Sequence, residues 1–241
     1  MAVGVAACAS RSDVEALKKE VESLKSTQAQ LVKRLGAGGQ QAQQQAPQPK
    51  PLPASIDMTG TNIRGANAAQ VVLVEFSDYE CPFCIRHYTQ VTPLIEQTYV
   101  QSGKIRYAFR DFPIDELHPQ SIRAHVAARC AAEQSPANFW NLHNRLFSKA
   151  GTHTPEALQA AAQAAGLKMG PFGTCVTNDK YSPTIRQSTA FAISLGASGT
   201  PFFVVGRMEP GSNQLKPIKT IPGAFPFSRF QEVIDEALRT K

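Results

Sequence analysis

Apolar residues near the start of the chain recur at alternating spacings of three and four. The repeating positions are Val14, Leu17, Val21, Leu24, Gln28, Leu31 and Leu35. This spacing is typical of the a and d seam of a coiled coil, and it predicts a helix over residues 13–35. An isolated helix of this length is only marginally stable in water. We therefore expect its apolar stripe to pack against other copies of the chain, with the body of the protein as the alternative partner.

The composition changes directly after this helix. Gly36 and Gly38 can end it, and residues 36–54 consist mainly of Gly, Ala, Gln and Pro. Such a segment cannot bury enough apolar surface to fold, so its composition predicts a flexible linker. The main domain is therefore expected to begin near Ser55 and to continue to residue 241.

Two segments predict the first strands of that domain. Residues 71–76 form a nearly continuous apolar run, as expected of a central strand that is buried on both faces. Residues 104–109 alternate between apolar and polar side chains and predict a second strand. The interval 84–100 has room for a crossover helix, which together with the two strands gives a β–α–β unit.

The pattern becomes helical from about residue 118 and stays helical to about residue 195. The predicted helices cover residues 119–134, 137–149, 155–165 and 184–195, separated by Pro and Gly. Strands return at 201–205 and 217–221, and an amphipathic helix follows over 227–238. This order predicts an α/β domain with an all-helical insertion at about residues 113–196.

Composition narrows the possible functions. The chain has 241 residues, 42% of them hydrophobic, and a net charge of +6. Its basic residues form no dense stripe and no nucleic-acid-binding motif, so no nucleic-acid partner is expected. The sequence has no run of 18 or more apolar residues, and therefore predicts no membrane-spanning helix.

The chain has five cysteines, and an odd number in an exported protein leaves one cysteine with a separate role. Val5-Ala6-Ala7-Cys8 resembles the lipobox of bacterial lipoproteins, in which the cysteine is lipidated. Residues 1–4 are too short for a signal peptide, so either the true start lies upstream or the match is accidental. We expect lipidation of Cys8, and the alternative is a frayed apolar segment with a stray thiol.

Cys81-Pro82-Phe83-Cys84 follows the first predicted strand and opens a helix. Pro82 suits the first turn of a helix, where its missing N–H costs nothing. Cys81 then faces the positive end of the helix dipole, which stabilises a thiolate and lowers the pKa of Cys81. Cys84 lies one turn further in, where it can attack a mixed disulfide formed at Cys81. This arrangement predicts a redox-active pair.

Other uses of this motif find less support in the sequence. A zinc site needs more ligands, and the sequence has no second CxxC and no spaced His pair, so neither a metal nor another cofactor is expected. Ile85 in place of His excludes a haem attachment site. A tight structural disulfide is a further alternative, although it would be strained and reducible. His87, three residues past Cys84, is expected to be a solvated helix residue.

Two segments resemble the DsbA-like thioredoxin domain. They are Phe76-Ser77-Asp78-Tyr79-Glu80-Cys81-Pro82-Phe83-Cys84 and Gly199-Thr200-Pro201-Phe202-Phe203-Val204. The resemblance covers about residues 56–241 and implies a thioredoxin fold. It implies that Cys81 is the nucleophile, Cys84 the resolving cysteine and Pro201 a cis-proline packed against them. Thr200 would present its backbone to the substrate, and Pro82 and Phe83 would contact the substrate as well.

The resemblance also implies roles for residues outside these segments. Glu75 matches an acidic residue that exchanges a proton with the resolving cysteine, and the alternative is a strand-edge carboxylate that is paired elsewhere. Cys130 and Cys175 match two cysteines that form a structural disulfide in one branch of the family, and the alternative is two buried free thiols. His143 is expected to belong to the helix core and to have no catalytic role.

The sequence thus predicts an exported thiol–disulfide oxidoreductase of the periplasm or cell envelope, tethered by its N-terminal helix and a lipid on Cys8. Its substrates would be cysteine-containing exported polypeptides, and a membrane redox partner would reset the cysteine pair. Thr200 and the helix resemble isomerase-like relatives, including the suppressor-of-copper-sensitivity type, but oxidase, isomerase and reductase activities all stay open. The alternative from another class is a chaperone that holds Cu(I) between Cys81 and Cys84, since soft thiolates suit that ion.

Overall fold

The computed structural model describes residues 11–43, 51–148 and 153–240, with side chains throughout except at residues 13 and 33–43. Contacts divide the chain into two units, one up to Pro49 and one from Lys50 onward, and each is treated by itself. Cys8 lies outside the described residues, as do residues 44–50 of the predicted linker. Within the described ranges no helix has both the length and the apolarity to cross a bilayer.

Helix α1 (Arg11–Gln43) is longer than predicted. It passes through Gly36 and Gly38, so the first eight residues of the expected 36–54 linker are helical. A glycine inside a helix costs only about 1 kcal/mol relative to Ala, and the surrounding Ala and Gln residues favour helix. The apolar side chains of the predicted seam are exposed from Val14 to Leu31. Helix α1 therefore carries these apolar side chains on its surface.

In the part of the chain that the structure describes, six strands form one sheet. They are β1 (Ile56–Asp57), β2 (Asn62–Arg64), β3 (Val71–Ser77), β4 (Ile105–Asp111), β5 (Phe202–Met208) and β6 (Gln214–Pro222). Their order across the sheet is β1-β6-β5-β3-β4-β2, with β3 parallel to β4 and antiparallel to β5. The sequence pattern does not predict β1 and β2, because strands of two or three residues show no periodicity.

Three consecutive helical segments join β3 to β4. They are α2 (Pro82–Gln90), α3 (Thr92–Ile95) and a π-helical turn (Glu96–Val100). The single crossover helix expected from the sequence is therefore interrupted at Val91. Pro93 explains the break, because proline has no N–H for the hydrogen bond that would continue α2.

In its described residues, the insertion between β4 and β5 contains helices joined by loops and no strand. It contains α4 (Ser121–Gln134), α5 (Pro136–Ser148), α6 (Pro155–Ala164), α7 (Met169–Asn178) and α8 (Ser182–Ser194). The sequence pattern predicts all of these except α7, whose Gly170 and Pro171 indicate a break. Pro171 is compatible with helix here because it lies in the first turn, where its missing N–H costs little. Helix α9 (Phe227–Arg239) follows β6, as predicted.

Strand β3 lies inside the sheet and is buried along its whole length, as its apolar composition predicts. Alternate side chains enter two separate cores. Leu73 belongs to the larger core, which also contains Cys81 and Cys84. Val74 belongs to the smaller core on the other side, which residues of α8 help to close. Strand β3 is therefore anchored in both cores, and the cysteine pair follows its C-terminal end.

Candidate functional site

Cys81 lies directly before α2, and Pro82 is the first residue of that helix. The free backbone N–H groups of the first helical turn are therefore available to the Cys81 sulfur. Cys81 and Cys84 are both free thiols and both buried, with 4% and 0% of their surfaces accessible. Pro82 and Phe83 between them are exposed. An apolar surface patch thus lies next to an almost covered sulfur atom.

The two thiols differ in acidity. A hydrogen bond from the Cys84 side chain is the largest effect that lowers the pKa of Cys81, and Thr200 adds to it against the effect of burial. Burial raises the pKa of Cys84 well above its ordinary value, and the neighbouring Cys81 and Glu75 raise it further. The reduced pair therefore carries its negative charge on Cys81 and keeps its proton on Cys84.

The peptide bond between Thr200 and Pro201 is cis. The Cys81 sulfur lies 3.5 Å from the carbonyl oxygen of Thr200, to which it donates a hydrogen bond when it is protonated. Pro201 is buried, and β5 begins at the next residue. Since β5 pairs with β3, the strand that leads to Cys81, the sheet register brings these distant segments together.

Glu75 is buried in β3, at 2% accessibility. Tyr107 of β4 donates a hydrogen bond to Oε2 of Glu75. Burial raises the pKa of Glu75 to about 7, although the hydrogen bonds from Tyr107 and Ser77 and the charge of Arg64 act in the opposite direction. A carboxyl group with this pKa can accept and release a proton near neutral pH.

Asp78 holds the loop that leads into Cys81. Its Oδ1 accepts a hydrogen bond of 2.6 Å from the hydroxyl of Ser121, at the start of α4. Its Oδ2 accepts a hydrogen bond of 2.8 Å from the N–H of Ile114 and lies 2.8 Å from Nδ1 of His118. These three partners belong to the insertion, so the insertion fixes the backbone before Cys81, and Oδ1 also accepts a hydrogen bond of 2.8 Å from the N–H of Glu80.

The next two residues strengthen this attachment. The hydroxyl of Tyr79 lies 3.0 Å from Nδ1 of His143 on α5. The carboxylate of Glu80 accepts a hydrogen bond of 3.1 Å from the N–H of Gln120 and lies 3.5 Å from His153. His143 is buried in the helix core, in agreement with its predicted place.

His87 lies inside the protein, so its predicted position on a solvated helix face is wrong. Its ring packs against Phe203 and Phe230, with centroids 4.6 and 4.9 Å away. Neither ring nitrogen has a hydrogen-bond partner among the described residues. Burial lowers the pKa of His87 to about 3. The local sequence could not indicate this burial, because the covering ring of Phe230 belongs to α9.

Cys130 on α4 and Cys175 on α7 are joined by a disulfide bond that spans 45 positions of sequence. Both residues are buried in the larger core. The bond connects α4 to the one insertion helix that the sequence pattern misses. Removing it would free α7 from a covalent restraint within the insertion.

The structure brings most of the expected site residues together at one edge of the sheet. They are Glu75, Cys81, Cys84, Thr200 and Pro201, with Pro82 and Phe83 on the adjoining surface. Sequence reasoning misses Tyr107 and Asp78. The sequence does indicate that Tyr107 is buried, because Tyr107 shares one face of a predicted strand with Ile105 and Phe109. The partners of Asp78 in the insertion lie 36 to 43 positions away, and no local pattern indicates them.

Known proteins match most of the second unit. The sequence model of the Thioredoxin family matches residues 57–219. The Na(+)/H(+) antiporter NhaA 3 of Salinispora tropica is 30% identical over 182 residues, which are 75% of this chain but only 27% of the antiporter. A Rickettsia felis protein provisionally named as a protein-disulfide oxidoreductase is 24% identical over 185 residues, 74% of this chain and 65% of that protein. The chain thus spans about a quarter of the antiporter and under two thirds of the Rickettsia protein.

A comparison with solved structures also finds a similar fold. The crystal structure of α-DsbA1 from Wolbachia pipientis matches with a TM-score of 0.63 at 24% identity, covering 78% of this chain and 92% of that one. The family match covers more than half of the chain, and the strand order and helical insertion described above agree with it. The chain therefore belongs to the thioredoxin family, and its second unit has the DsbA-like form of the fold.

Proposed function

We propose that the protein is an extracytoplasmic thiol–disulfide oxidoreductase that acts on cysteine-containing exported polypeptides. The observation that carries this proposal is the pair of thiols with opposite acidity at the start of α2, beside the cis bond before Pro201. A lowered pKa makes Cys81 a good leaving group, while a raised pKa keeps Cys84 protonated. The name of the Rickettsia relative supports the same activity.

The proposed oxidising reaction begins when a substrate thiolate attacks the Cys81 sulfur of the Cys81–Cys84 disulfide. The bond between the two cysteines breaks, and Cys84 leaves as a thiolate that takes a proton from Glu75. A second substrate thiolate attacks the substrate sulfur of the mixed disulfide, and Cys81 leaves as a stabilised thiolate. The substrate gains one disulfide and the pair gains two electrons, which a membrane redox partner then removes.

The surface around Cys81 suits an extended polypeptide substrate. Thr200 presents its backbone beside the sulfur, where a substrate strand could form main-chain hydrogen bonds. Phe83 is 56% accessible and offers an apolar contact. The guanidinium group of Arg86 lies 5.2 Å from the centroid of the Phe83 ring, which supports that ring in its exposed position. Pro82 completes the apolar surface.

Among the possible reactions we favour disulfide isomerisation. The exposed seam of α1 supports self-association, because apolar residues at a and d positions are stabilised by burial against a second helix. Association would place several Cys81 sites around one bound substrate at high effective concentration. A misfolded substrate released from one site could then react at another. The exposed seam supports association rather than a particular number of copies.

The proposed location is the periplasm or cell envelope, with a lipid on Cys8. Two observations support the anchor: the lipobox-like Val5-Ala6-Ala7 before Cys8, and the assignment of the other four cysteines to pairs. Mass spectrometry of membrane-extracted protein should detect an acylated Cys8. An unmodified chain that still begins with Met1 would refute the lipid anchor.

Catalytic turnover distinguishes the oxidoreductase from the Cu(I) chaperone. The full chain, in catalytic amounts, should accelerate disulfide formation in a reduced protein or disulfide exchange in a scrambled one, and Cys81→Ser should abolish both. The reduction potential separates the directions, with values near about −120 mV favouring oxidation and values near about −270 mV favouring reduction. Tight stoichiometric Cu(I) binding without turnover would overturn the proposal and favour the chaperone.

A further inference from the structure

On β3, two buried oxygen atoms near the redox pair have no hydrogen-bond partner among the described residues. They are Oε1 of Glu75 and Oγ of Ser77. Glu75 is 2% accessible and Ser77 is completely buried. A buried polar group without a partner lowers stability, so each such group in a well-packed core needs an explanation. One possible explanation is a catalytic role.

Both residues lie on the side of β3 that carries Cys84. Side chains alternate between the faces of a strand, so Glu75 and Ser77 share a face with Leu73. That face enters the larger core, which also contains Cys84. Ser77 is the last residue of β3, two positions closer than Glu75 to the loop that leads into the cysteine pair. Ser77 therefore follows Glu75 on this face, at the end of the strand from which the loop to the cysteine pair begins.

The electrostatic effects agree with that placement. Interaction with Ser77 lowers the pKa of Glu75 and also the pKa of Cys84, in both cases against a larger effect of burial. The hydroxyl therefore stabilises both anions, although its Oγ completes no hydrogen bond to either in the described structure. Its backbone is fixed, because the carbonyl of Ser77 accepts a hydrogen bond of 3.0 Å from the N–H of Phe112. The Ser77 side chain can therefore move only by rotation of its hydroxyl group.

We propose that Ser77 carries the proton between Cys84 and Glu75, an inference that rests on the proposed oxidoreductase function. When Cys84 attacks a mixed disulfide at Cys81, its thiol proton passes to Oγ of Ser77 while the hydroxyl proton of Ser77 passes to Glu75. A bond forms between Cys84 and Cys81, the bond from Cys81 to the substrate sulfur breaks, and the substrate leaves as a thiolate. Ser77 ends with one proton, as it began. In the oxidising direction each step is reversed.

A chromogenic aromatic disulfide separates the reactions of the two thiols. In the reduced full chain, with Cys8→Ser to leave only the redox pair, Cys81 attacks the reagent first and releases one coloured thiolate. Cys84 then attacks the mixed disulfide and releases a second, at a rate independent of reagent concentration. Ser77→Ala should slow the second phase at least about tenfold, because positioned proton transfer typically contributes about 10²–10⁴-fold, and should leave the first phase within about twofold.

The pH profile of the second phase distinguishes proton transfer from packing. The charged and titratable groups that face Glu75 are Tyr107 from β4, Arg64 from β2, Tyr79 from the loop after β3, and Cys81 and Cys84 at the start of α2. In the natural sequence the second-phase rate should rise as Glu75 loses its proton, at a pH of about 7. Ser77→Ala should lose this inflection. Ser77→Thr, which keeps the hydroxyl, should restore it.

Ser188→Ala is the matched control. Ser188 on α8 is also buried, and its hydroxyl also has no partner among the described residues. This variant should leave both phases unchanged. A second phase within about twofold of the natural rate in Ser77→Ala, or equal slowing of both phases, would overturn the role of Ser77. Absence of the first phase from the Cys8→Ser chain would instead overturn the oxidoreductase function.

Discussion

Tyr107 on β4 donates a hydrogen bond to the carboxyl group of Glu75 on β3, inside the larger core. Both side chains are buried, with 0% and 2% of their surfaces accessible. The parallel pairing of β3 with β4 places Tyr107 opposite Leu73, two positions before Glu75 and on the same face. The hydrogen bond occupies Oε2 and leaves Oε1 without a partner among the described residues, so Tyr107 fixes the orientation of this carboxyl group.

Glu75→Gln should stabilise the protein above neutral pH. In the folded protein the pKa of Glu75 is raised from 4.5 to about 7. The folded state therefore binds more protons than the unfolded chain between these values, and stability falls as pH rises through this interval. Removing the charge should recover up to about 3 kcal/mol at about pH 8, at about 1.4 kcal/mol per pH unit. Urea unfolding of the reduced protein measures the gain.

The same variant should give no such gain below about pH 4, where the Glu75 carboxyl is protonated in both states. Glu116→Gln changes an exposed carboxyl group and serves as the control. An equal gain in Glu75→Gln at low and high pH would contradict the raised pKa.

Cys81 should react before Cys84 with iodoacetamide. The pKa of Cys81 is lowered, chiefly by the hydrogen bond from Cys84, and that of Cys84 is raised by burial. At mildly acidic pH, where a free cysteine with a pKa of about 8.5 is almost unreactive, Cys81 should still be labelled. Peptide mass spectrometry identifies the modified residue. Cys84→Ser should in turn trap mixed disulfides between Cys81 and substrates, and earlier labelling of Cys84 would reverse the assignment.

His87→Leu should raise the stability of the protein. The ring is buried, and neither nitrogen has a partner among the described residues, so an apolar side chain should gain about 1–3 kcal/mol. The pKa of His87 is lowered from 6.5 to about 3, so below about pH 6.5 the unfolded chain binds the additional proton. The natural protein should lose stability by about 1.4 kcal/mol per pH unit from this group as pH falls.

His87→Leu should lack that part of the pH dependence, and denaturant unfolding at about pH 7 and about pH 5 would show it. His87→Gln, which keeps a buried polar group, is the matched control and should bring no gain. A larger destabilisation by Leu than by Gln would mean that the ring nitrogens contribute favourably to the fold.

Replacing both Cys130 and Cys175 with Ala should lower stability and leave thiol exchange intact. Closing a loop of 45 positions could contribute up to about 4 kcal/mol through the entropy of the unfolded chain. Thermal unfolding should show a lower midpoint, while exchange at Cys81 with a small disulfide should proceed at the natural rate. Detection of both thiols as free in oxidised, exported protein would exclude the structural role.

Deleting residues 1–54 should give a monomer that exchanges thiols but no longer isomerises a scrambled substrate. The deletion removes α1 and its exposed seam, and it ends at residue 54, shortly after the second unit begins at Lys50. Light scattering measures the mass. In the full chain, Leu24→Asp should disrupt association, while Lys18→Asp, outside the seam, should not. A monomeric full-length protein at micromolar concentration would remove the basis for isomerisation by associated copies.

Much of this fold can be predicted because its strongest signals are local. The buried run at 71–76 is β3, and the cysteine pair begins a helix where Pro82 indicates one. Prolines and glycines mark most helix boundaries of the insertion. Proline and glycine give wrong boundaries where their effect depends on their position within a helix. Pro171 lies in the first turn of α7, and Gly36 lies in the interior of α1.

The remainder depends on contacts between distant parts of the chain. His87 is buried by Phe230, which contacts it in space but lies more than 140 positions later in the sequence, in α9. The partner of Glu75 depends on the register between β3 and β4, and a shift of one residue would turn Tyr107 to the other face. Register of this kind follows from the packing of the whole sheet, which no local pattern encodes.

The attachment of Asp78, Tyr79 and Glu80 to the helical insertion has a consequence for molecular recognition. With this backbone held in place, closing or opening the bond between Cys81 and Cys84 should alter the surrounding shape very little. Substrates and redox partners would then meet nearly the same surface in both oxidation states. They would have to distinguish the two forms by the negative charge that Cys81 carries only when the pair is reduced.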